Sequence, residues 1–331
     1  MSAIDVHAHV IVPELLRDAA PGEHWRPVVR RVDSRQVVEF AGRRVKAMVQ
    51  ECVDLDRILA AEERAGIDHV VLSPWVPLLF YDVDAHEGLH RCRLQNQGLA
   101  RMRAEQPHRV SVLGAVPLQD PDLAAAEIEE LMATGSFVGV EIAASVDGTY
   151  LGDPRFEPFW TAAERAGALV FVHPTTEAFW EPVFGDYYLH NLVGNPMETT
   201  LTAAHMVLAG VMERHRSLKV LLAHGGGAIL ALSGRLRHGH ETIAAAGAAL
   251  SEPADVSIRR FLFDTVTHDP ARLRALVEAV RADRVLLGSD YPFDMADRHP
   301  VETVRRARFG EEDESALLYW NAERLLALAV R

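Results

Sequence analysis

The stretch Ile4-Asp5-Val6-His7-Ala8-His9 opens the chain with a short apolar run that ends in two histidines separated by one residue. Side chains of a β-strand alternate between two faces, so the two imidazoles of a His-x-His pair lie on the same face. Further aliphatic runs, each long enough for one buried strand, end at His173, His224 and Asp290. One histidine beside such a run is ordinary packing, but several polar strand ends of this kind predict a shared metal site.

Strand-like runs alternate with helical patterns along the whole chain. They are apolar throughout rather than alternating, which is typical of parallel strands buried on both faces. Eight strand–helix units predict an α/β fold, a (β/α)8 TIM barrel whose active site lies at the C-terminal strand ends. An open, doubly wound sheet is the main alternative, but no G-x-G-x-x-G follows the first strand. After the first strand, we predict strands at 69–73, 110–114, 137–142, 168–173, 219–224, 260–264 and 284–289, and helices at 54–65, 121–133 and 270–282, with a last helix through Leu317 and Leu326.

Two long connections interrupt this alternation within what we predict to be a single metal-dependent, hydrolase-type barrel domain, residues 1–331. Residues 11–50 separate the first strand from its helix and are predicted to be an insertion or small lid, with a solvated surface excursion as the alternative. Residues 174–196 follow His173 directly and carry several aromatic side chains, so we expect them to form a wall of the substrate pocket.

The composition excludes some classes of partner. The 331 residues carry a formal net charge of −13, which argues against nucleic acid but allows a small anionic substrate bound in a local cleft. Two cysteines give no disulfide framework, and the first residues lack the basic and apolar regions of a signal peptide, so we expect neither a signal peptide nor a membrane-spanning segment. We therefore expect a cytoplasmic enzyme that has no membrane partner.

The predicted metal ligands are His7, His9, His173 and Asp290. Three imidazoles and one carboxylate form a nitrogen and oxygen set that suits Zn²⁺, with Mn²⁺, Fe²⁺ or Co²⁺ as alternatives. A catalytic metal also needs an open position for water or substrate. His224 precedes three glycines, Gly225 to Gly227, which let backbone and ligand approach closely. We interpret His224 as a general base and acid beside the metal, with a packed histidine in a tight turn as the alternative.

Several motifs together resemble those of the amidohydrolase superfamily, and more narrowly its aminocarboxymuconate-semialdehyde decarboxylase branch. The similarity runs from residue 4 to Leu328. The motifs are Ile4-Asp5-Val6-His7-Ala8-His9, Phe171-Val172-His173-Pro174, Ala223-His224-Gly225-Gly226-Gly227 and Gly288-Ser289-Asp290-Tyr291-Pro292-Phe293.

The resemblance implies a barrel with one divalent metal, usually zinc, held by the four ligands named above. It implies that His224 handles the metal-bound water and the proton. It further implies that Arg235 reaches the substrate carboxylate of the neighbouring subunit, which makes a homodimer the working form. A family arginine that binds the substrate carboxylate aligns with Lys46, or alternatively with Arg44. The family tryptophan after His-Pro is replaced by Thr175.

Three further residues are assigned from their strand-end positions. Glu141 ends the fourth strand, where binuclear relatives carry a bridging ligand. It could bridge two metals, pair with a basic residue of the barrel or hydrogen-bond the metal water. Asp264 ends the seventh strand and either orients a ligand histidine or caps the following turn. Phe293 is predicted to line the substrate pocket.

The predicted function is metal-dependent, non-oxidative decarboxylation of an unsaturated or aromatic carboxylic acid. Catalysis is assigned to His224, Asp290 and Arg235, and substrate binding to Lys46, Arg44, Arg235 and Phe293. Two alternatives stay open: a hydrolase or hydratase that uses the same metal-bound water, and a binuclear redox enzyme bridged by Glu141. A structural or regulatory barrel that keeps its metal is the alternative outside enzymes.

Overall fold

Thirteen strands and fourteen helices are present in the computed structural model, which describes residues 2–16, 23, 25–32, 35–40, 43–45, 49–175 and 184–326. The strands are β1 Ile4–Val10, β2 Val28–Val32, β3 Arg35–Phe40, β4 Arg43–Val45, β5 His69–Pro74, β6 Val110–Gly114, β7 Gly139–Ala143, β8 Ser145–Val146, β9 Thr149–Tyr150, β10 Leu169–His173, β11 Lys219–Leu222, β12 Leu262–Asp264 and β13 Val285–Leu286. The helices are α1 Val49–Val53, α2 Leu55–Ala65, α3 Ala85–Glu105, α4 Pro121–Ala133, α5 Glu157–Ala166, α6 Asn195–Leu208, α7 Val211–Arg214, α8 Ile229–Thr242, α9 Ala244–Gly247, α10 Ala254–Ile258, α11 Pro270–Val280, α12 Pro300–Arg306, α13 Glu311–Ser315 and α14 Asn321–Leu326.

Eight of these strands form one parallel sheet in the order β1-β5-β6-β7-β10-β11-β12-β13. The segment after β13 returns to β1: Val6 N donates to Leu287 O at 2.9 Å, and His9 N donates to Tyr291 O at 2.8 Å. These bonds bring the two sheet edges together. The predicted (β/α)8 barrel is therefore confirmed.

Packing explains why the barrel strands are apolar on both faces. Inside the barrel, Ile4, Val6, Phe171 and Leu221 belong to one buried cluster. Outward-facing side chains such as Val170 pack in the larger core that the surrounding helices complete. Both faces are thus removed from water, and burial of this kind stabilises by about 25 cal/mol per Å² of apolar surface.

Helix ends follow the local signals in the sequence. Asp54 caps α2 by accepting a hydrogen bond from Arg57 N, and Gly66 ends that helix with a φ of +85°. The predictions for 54–65 and 121–133 therefore differ from the observed helices by at most one residue. The prediction of a strand over 284–289 is too long: the regular strand is Val285–Leu286, and beyond it the chain makes separate backbone hydrogen bonds to β1 and turns at Asp290, whose φ is +63°.

The insertion carries a small sheet of its own. Strands β2, β3 and β4 pair antiparallel in that order, and Val38 of β3 is buried against the main core. The lid role of this segment stays a prediction. In the second long connection, residues 176–183 lie outside the described part. Later in this connection, a π-helical turn at His190–Gly194 leads into α6. No helix among the described residues is long and apolar enough to cross a bilayer.

Two carboxylates of α5 enclose the ring of His215, the residue that follows α7. His215 Nδ1 lies 2.9 Å from Glu164 Oε2, and Nε2 lies 2.9 Å from Glu157 Oε1. Hydrogen bonding from Arg214 lowers the pKa of Glu157. Burial raises the pKa of Glu164, but hydrogen bonds from Ser217 and His215 outweigh it and leave the pKa lowered. The ring therefore joins α7 to α5 through ionised partners.

We predict that His215→Ala lowers the free energy of unfolding at pH 7 by about 1–3 kcal/mol, because both carboxylates lose a buried partner. A carboxyl whose pKa is lowered by folding stabilises above its unfolded pKa, about 4.3 for glutamate. The difference between variant and wild type should therefore shrink as the pH falls through the lowered pKa values. Urea unfolding at pH 7 and pH 3.5 measures this, with the exposed His86→Ala as control; an equal difference at both pH values would contradict it.

Candidate metal centre

Four buried side chains converge at the C-terminal mouth of the barrel. His7 and His9 project from the same face of β1, His173 ends β10, and Asp290 follows β13. One ligand atom from each of the four lies within 4.8 Å of the others. The strand-end pattern thus brings together in space residues that are far apart in the sequence.

Each imidazole is oriented through its Nδ1 atom. His7 Nδ1 lies 2.6 Å from Asp264 Oδ2, His9 Nδ1 lies 3.0 Å from the carbonyl of Pro74, and His173 Nδ1 lies 2.9 Å from the carbonyl of Pro174. A carbonyl oxygen only accepts, so Nδ1 of His9 and of His173 must carry the proton. Their Nε2 atoms are then left with a lone pair, which is the arrangement of metal-binding histidines.

The atoms that face the centre lack hydrogen-bond partners among the described residues. They are Nε2 of His7, His9 and His173, together with Oδ1 of Asp290. Asp290 Oδ1 lies 3.3 Å from His7 Nε2 and 3.5 Å from His9 Nε2. A buried polar atom without a partner costs about 1–3 kcal/mol. Four such atoms directed at one point fit a divalent cation, which would satisfy all of them.

The electrostatics of the cluster favour a positive charge at its centre. Burial opposes ionisation of Asp290, but His7 and the other imidazoles outweigh it and hold the pKa of Asp290 well below its usual value. Burial also lowers the pKa of His7, yet Asp290 and Asp264 outweigh it and raise that pKa to about 10. The carboxylates thus hold a proton on His7. A bound metal would replace that proton and compete with it.

Asp264 connects three parts of the site. Besides His7 Nδ1, its carboxylate accepts hydrogen bonds from the backbone N–H groups of His224 at 2.9 Å, Gly225 at 2.7 Å and Val266 at 3.0 Å. The geometry matches both roles that the sequence left open: the carboxylate contacts the ring of His7, and its hydrogen bond from Val266 N caps the turn after β12. The same carboxylate also holds the turn that presents His224.

His224 lies beside the four clustered residues in a strained turn. Its φ is +57°, and the following glycines all have positive φ values. A Cβ on Gly227 would lie 2.1 Å from the carbonyl of Pro196, so only glycine fits there. His224 Nε2 is 3.4 Å from Asp290 Oδ2, and its side chain is 14% exposed. Its Nδ1 has no hydrogen-bond partner within the described residues. The ring is placed to exchange protons at the edge of the cluster.

Glu141 is fully buried on β7, but it approaches His9 from the side away from the centre. Its Oε1 lies 3.5 Å from His9 Nδ1, whereas Nε2 of His9 faces Asp290. Glu141 is not part of the group whose ligand atoms lie within 4.8 Å of one another. Burial raises its pKa well above the usual value. The geometry gives no support to the predicted bridging of two metals.

The structure places one of the predicted substrate residues, Phe293, beside the cluster. The ring of Phe293 lies 5.0 Å from the ring of His9 and so flanks the cluster. Arg235 is exposed on α8. Arg44 belongs to β4, and its side chain, like the whole of Lys46, lies outside the described residues. The assignments of Arg235, Arg44 and Lys46 stay predictions.

One feature of the site, a cavity beside His224, could not be predicted from the sequence. A cavity of about 560 Å³ extends outwards from His224 between α8 and α11, and Asn195, Thr267, His268 and Arg272 line it. Asn195 belongs to α6, Thr267 and His268 to the connection between β12 and α11, and Arg272 to α11, so it is tertiary packing that brings them together. The second connection does contribute to the cavity wall, through Asn191, Leu192, Asn195 and Pro196, whereas Tyr187 is 87% exposed and does not line the cavity.

The (β/α)8 barrel and the cluster of four ligand residues together define the class of the protein, a metal-dependent TIM-barrel enzyme. The chain belongs to the amidohydrolase family, whose model matches residues 4–328. It is 30% identical over 336 residues to 2-amino-3-carboxymuconate-6-semialdehyde decarboxylase of Dictyostelium discoideum, covering 98% of this chain and 91% of the relative. It is 25% identical over 353 residues to gamma-resorcylate decarboxylase of Rhizobium sp. (strain MTP-10005), covering 98% of both.

A solved structure gives the same result. The 5-carboxyvanillate decarboxylase of Sphingomonas paucimobilis superimposes with a TM-score of 0.84 at 27% identity, covering 99% of both chains. All three relatives are named as decarboxylases, which are carboxy-lyases. The prediction of a metal-dependent carboxy-lyase of the amidohydrolase superfamily is therefore confirmed.

We predict that Asp264→Asn weakens metal binding about 10- to 100-fold, although Asp264 is not one of the four clustered residues. The amide keeps the size of the side chain but loses the charge that orients His7 and the turn at His224. Competition with a metal-sensing chelator measures the affinity. Asp255→Asn, at a buried aspartate of α10 that pairs with Arg237, is the matched control and should bind metal like the wild type. Equal affinities for all three proteins would contradict the orienting role.

Proposed function

We propose that this protein decarboxylates a small unsaturated or aromatic carboxylic acid without an oxidant, using one bound divalent metal. The observation that carries the proposal is a set of four buried ligand atoms that have no hydrogen-bond partner within the described part of the chain, with His224 at the edge of the set. The relatives named above act on a carboxymuconate semialdehyde and on substituted benzoates, which agrees with a planar acid as substrate.

His7, His9, His173 and Asp290 are the residues that would hold the metal. Three nitrogen ligands and one oxygen ligand match Zn²⁺ best, and Mn²⁺, Fe²⁺ and Co²⁺ accept the same set. When bound, the metal supplies Lewis acidity to an oxygen of the substrate. Because Glu141 approaches only the far side of His9, we propose a single metal ion for each chain.

His224 supplies the proton. When the bond between the ring carbon and the carboxylate breaks, its electron pair stays on the carbon, which must gain a proton as carbon dioxide leaves. An imidazole donates and accepts near neutral pH, and His224 is the most exposed of the titratable side chains in the cluster. Asp264 fixes its backbone, and Phe293 offers an apolar ring beside His9. Lys46, or Arg44, would hold a carboxylate of the substrate.

We propose a cytoplasmic location and a homodimer as the working form. Cys52 and Cys92 are both buried and unpaired, which suits a reducing compartment. Arg235 is exposed on α8 and is not among the described residues that line the cavity at His224, which suits a role at the site of a second copy. Closed dimers with two-fold symmetry are the commonest assembly.

We predict that His224→Asn keeps the metal but lowers kcat about 10²- to 10⁴-fold, because asparagine cannot carry the proton. Carbon dioxide release from 2,6-dihydroxybenzoate and 5-carboxyvanillate measures turnover, and elemental analysis measures the metal. EDTA should abolish release in the wild type, and added Zn²⁺ should restore it. Loss of metal in the variant would make His224 a ligand. Hydrolysis of an ester or lactone without any carbon dioxide release would overturn the decarboxylase proposal in favour of a hydrolase.

We predict that Arg235→Gln and His224→Asn, each nearly inactive alone, complement each other when the two chains are co-expressed. A mixed dimer with Arg235 acting across the interface has one site that carries both defects and one intact site. The mixture should therefore recover up to about a quarter of wild-type activity. Separately purified and unmixed variants are the control. No recovery in mixed dimers, verified by two different affinity tags, would show that Arg235 does not act on the partner's site.

A further inference from the structure

The cavity that begins at His224 has an unusual charge pattern for this chain. The protein carries 47 acidic and 34 basic residues. Among the described residues that line this cavity, none is acidic, and Arg272 is the one permanently charged side chain. Within the described chain, Arg272 has no ion pair or hydrogen bond through its guanidinium, whereas Arg237 and Arg260 both pair with carboxylates. An unpaired arginine in an acid-free wall favours an anion.

Apolar side chains form a large part of the cavity wall, beside the polar residues named above. Arg272, Ala275, Leu276 and Ala279 lie at positions i, i+3, i+4 and i+7 of α11, so one face of this helix borders the cavity. Leu230 from the first turn of α8 adds further apolar surface. Arg272 and His224 therefore line one cavity together with apolar side chains that can contact a hydrocarbon body.

We infer that Arg272 binds a second carboxylate of the substrate, so that the enzyme prefers planar dicarboxylic acids. This inference rests on the proposed function, which places the reacting carboxylate at the metal beside His224. A guanidinium binds a carboxylate through two parallel hydrogen bonds, which gives both affinity and orientation. Arg272 would then hold the distant carboxylate and set the position of the ring relative to His224.

The relatives include enzymes named for acids with two carboxylates and enzymes named for acids with one. By their chemical names, 5-carboxyvanillate and 2-amino-3-carboxymuconate 6-semialdehyde each carry two carboxylates, whereas gamma-resorcylate carries one. The fold therefore accommodates both classes of acid. Arg272 assigns this chain to the dicarboxylate class.

A binding experiment tests the inference without requiring turnover. Calorimetry on the metal-loaded full chain compares isophthalate, with two carboxylates, and benzoate, with one. The wild type should bind isophthalate more tightly by about tenfold or more, and Arg272→Gln should lose that preference while its affinity for benzoate is unchanged. Arg272→Lys keeps the charge and should retain part of the preference. Arg306→Gln removes the same charge from an exposed position on α12 and should behave like the wild type.

Kinetics then separate this inference from the proposed function. For 5-carboxyvanillate, Arg272→Gln should raise KM about tenfold with little change in kcat, and for 2,6-dihydroxybenzoate it should leave both unchanged. An equal loss for both acids, or no wild-type preference for isophthalate, would overturn the role of Arg272. Retained isophthalate preference with no carbon dioxide from either acid would instead overturn the decarboxylase function.

Discussion

The carboxylate of Asp264 is the constraint on which the rest of the site depends. It accepts one hydrogen bond from the ring of His7 and three from backbone N–H groups at His224, Gly225 and Val266. These donors come from three segments, β1, the turn at His224 and Gly225, and the residues just after β12, so one buried charge fixes the strand that carries His7 relative to the turn that carries His224. Burial alone would disfavour this charge, but hydrogen bonding and the positive charge of His7 outweigh burial and keep the pKa of Asp264 lowered.

The cluster concentrates features that destabilise a metal-free protein. Four buried ligand atoms have no hydrogen-bond partner among the residues that the structure describes, and Asp290 and His224 both adopt left-handed backbone conformations. Such residues persist when the surrounding structure determines their positions. Here the apolar layers inside and outside the barrel supply that support, and a bound cation would remove most of the electrostatic cost. The backbone strain at Asp290 and His224 therefore lies at the site where a bound cation would offset its cost.

Local signals predicted the regular elements well and the loops poorly. The α2 helix could be placed from its cap Asp54 and its terminating Gly66, because both act within one helical turn. The end of β13 could not, because the regular strand stops at Leu286 and the chain then turns to bring Asp290 against His7. Local signals were also insufficient for Glu141. Its strand-end position suggested a bridging ligand, but which side of His9 it contacts depends on how the neighbouring strands are oriented.

The sequence by itself determined the strand–helix order and the residue types at the strand ends, since alternation, spacing and strand-end chemistry are local properties of the chain. It thereby specified the barrel and the identity of the four clustered residues. The tertiary structure decided which ring nitrogen each histidine presents, that Glu141 stands outside the cluster, and that Arg272 shares a cavity with His224. Those facts arise from contacts between distant segments, whose relative placement is set only when the barrel closes.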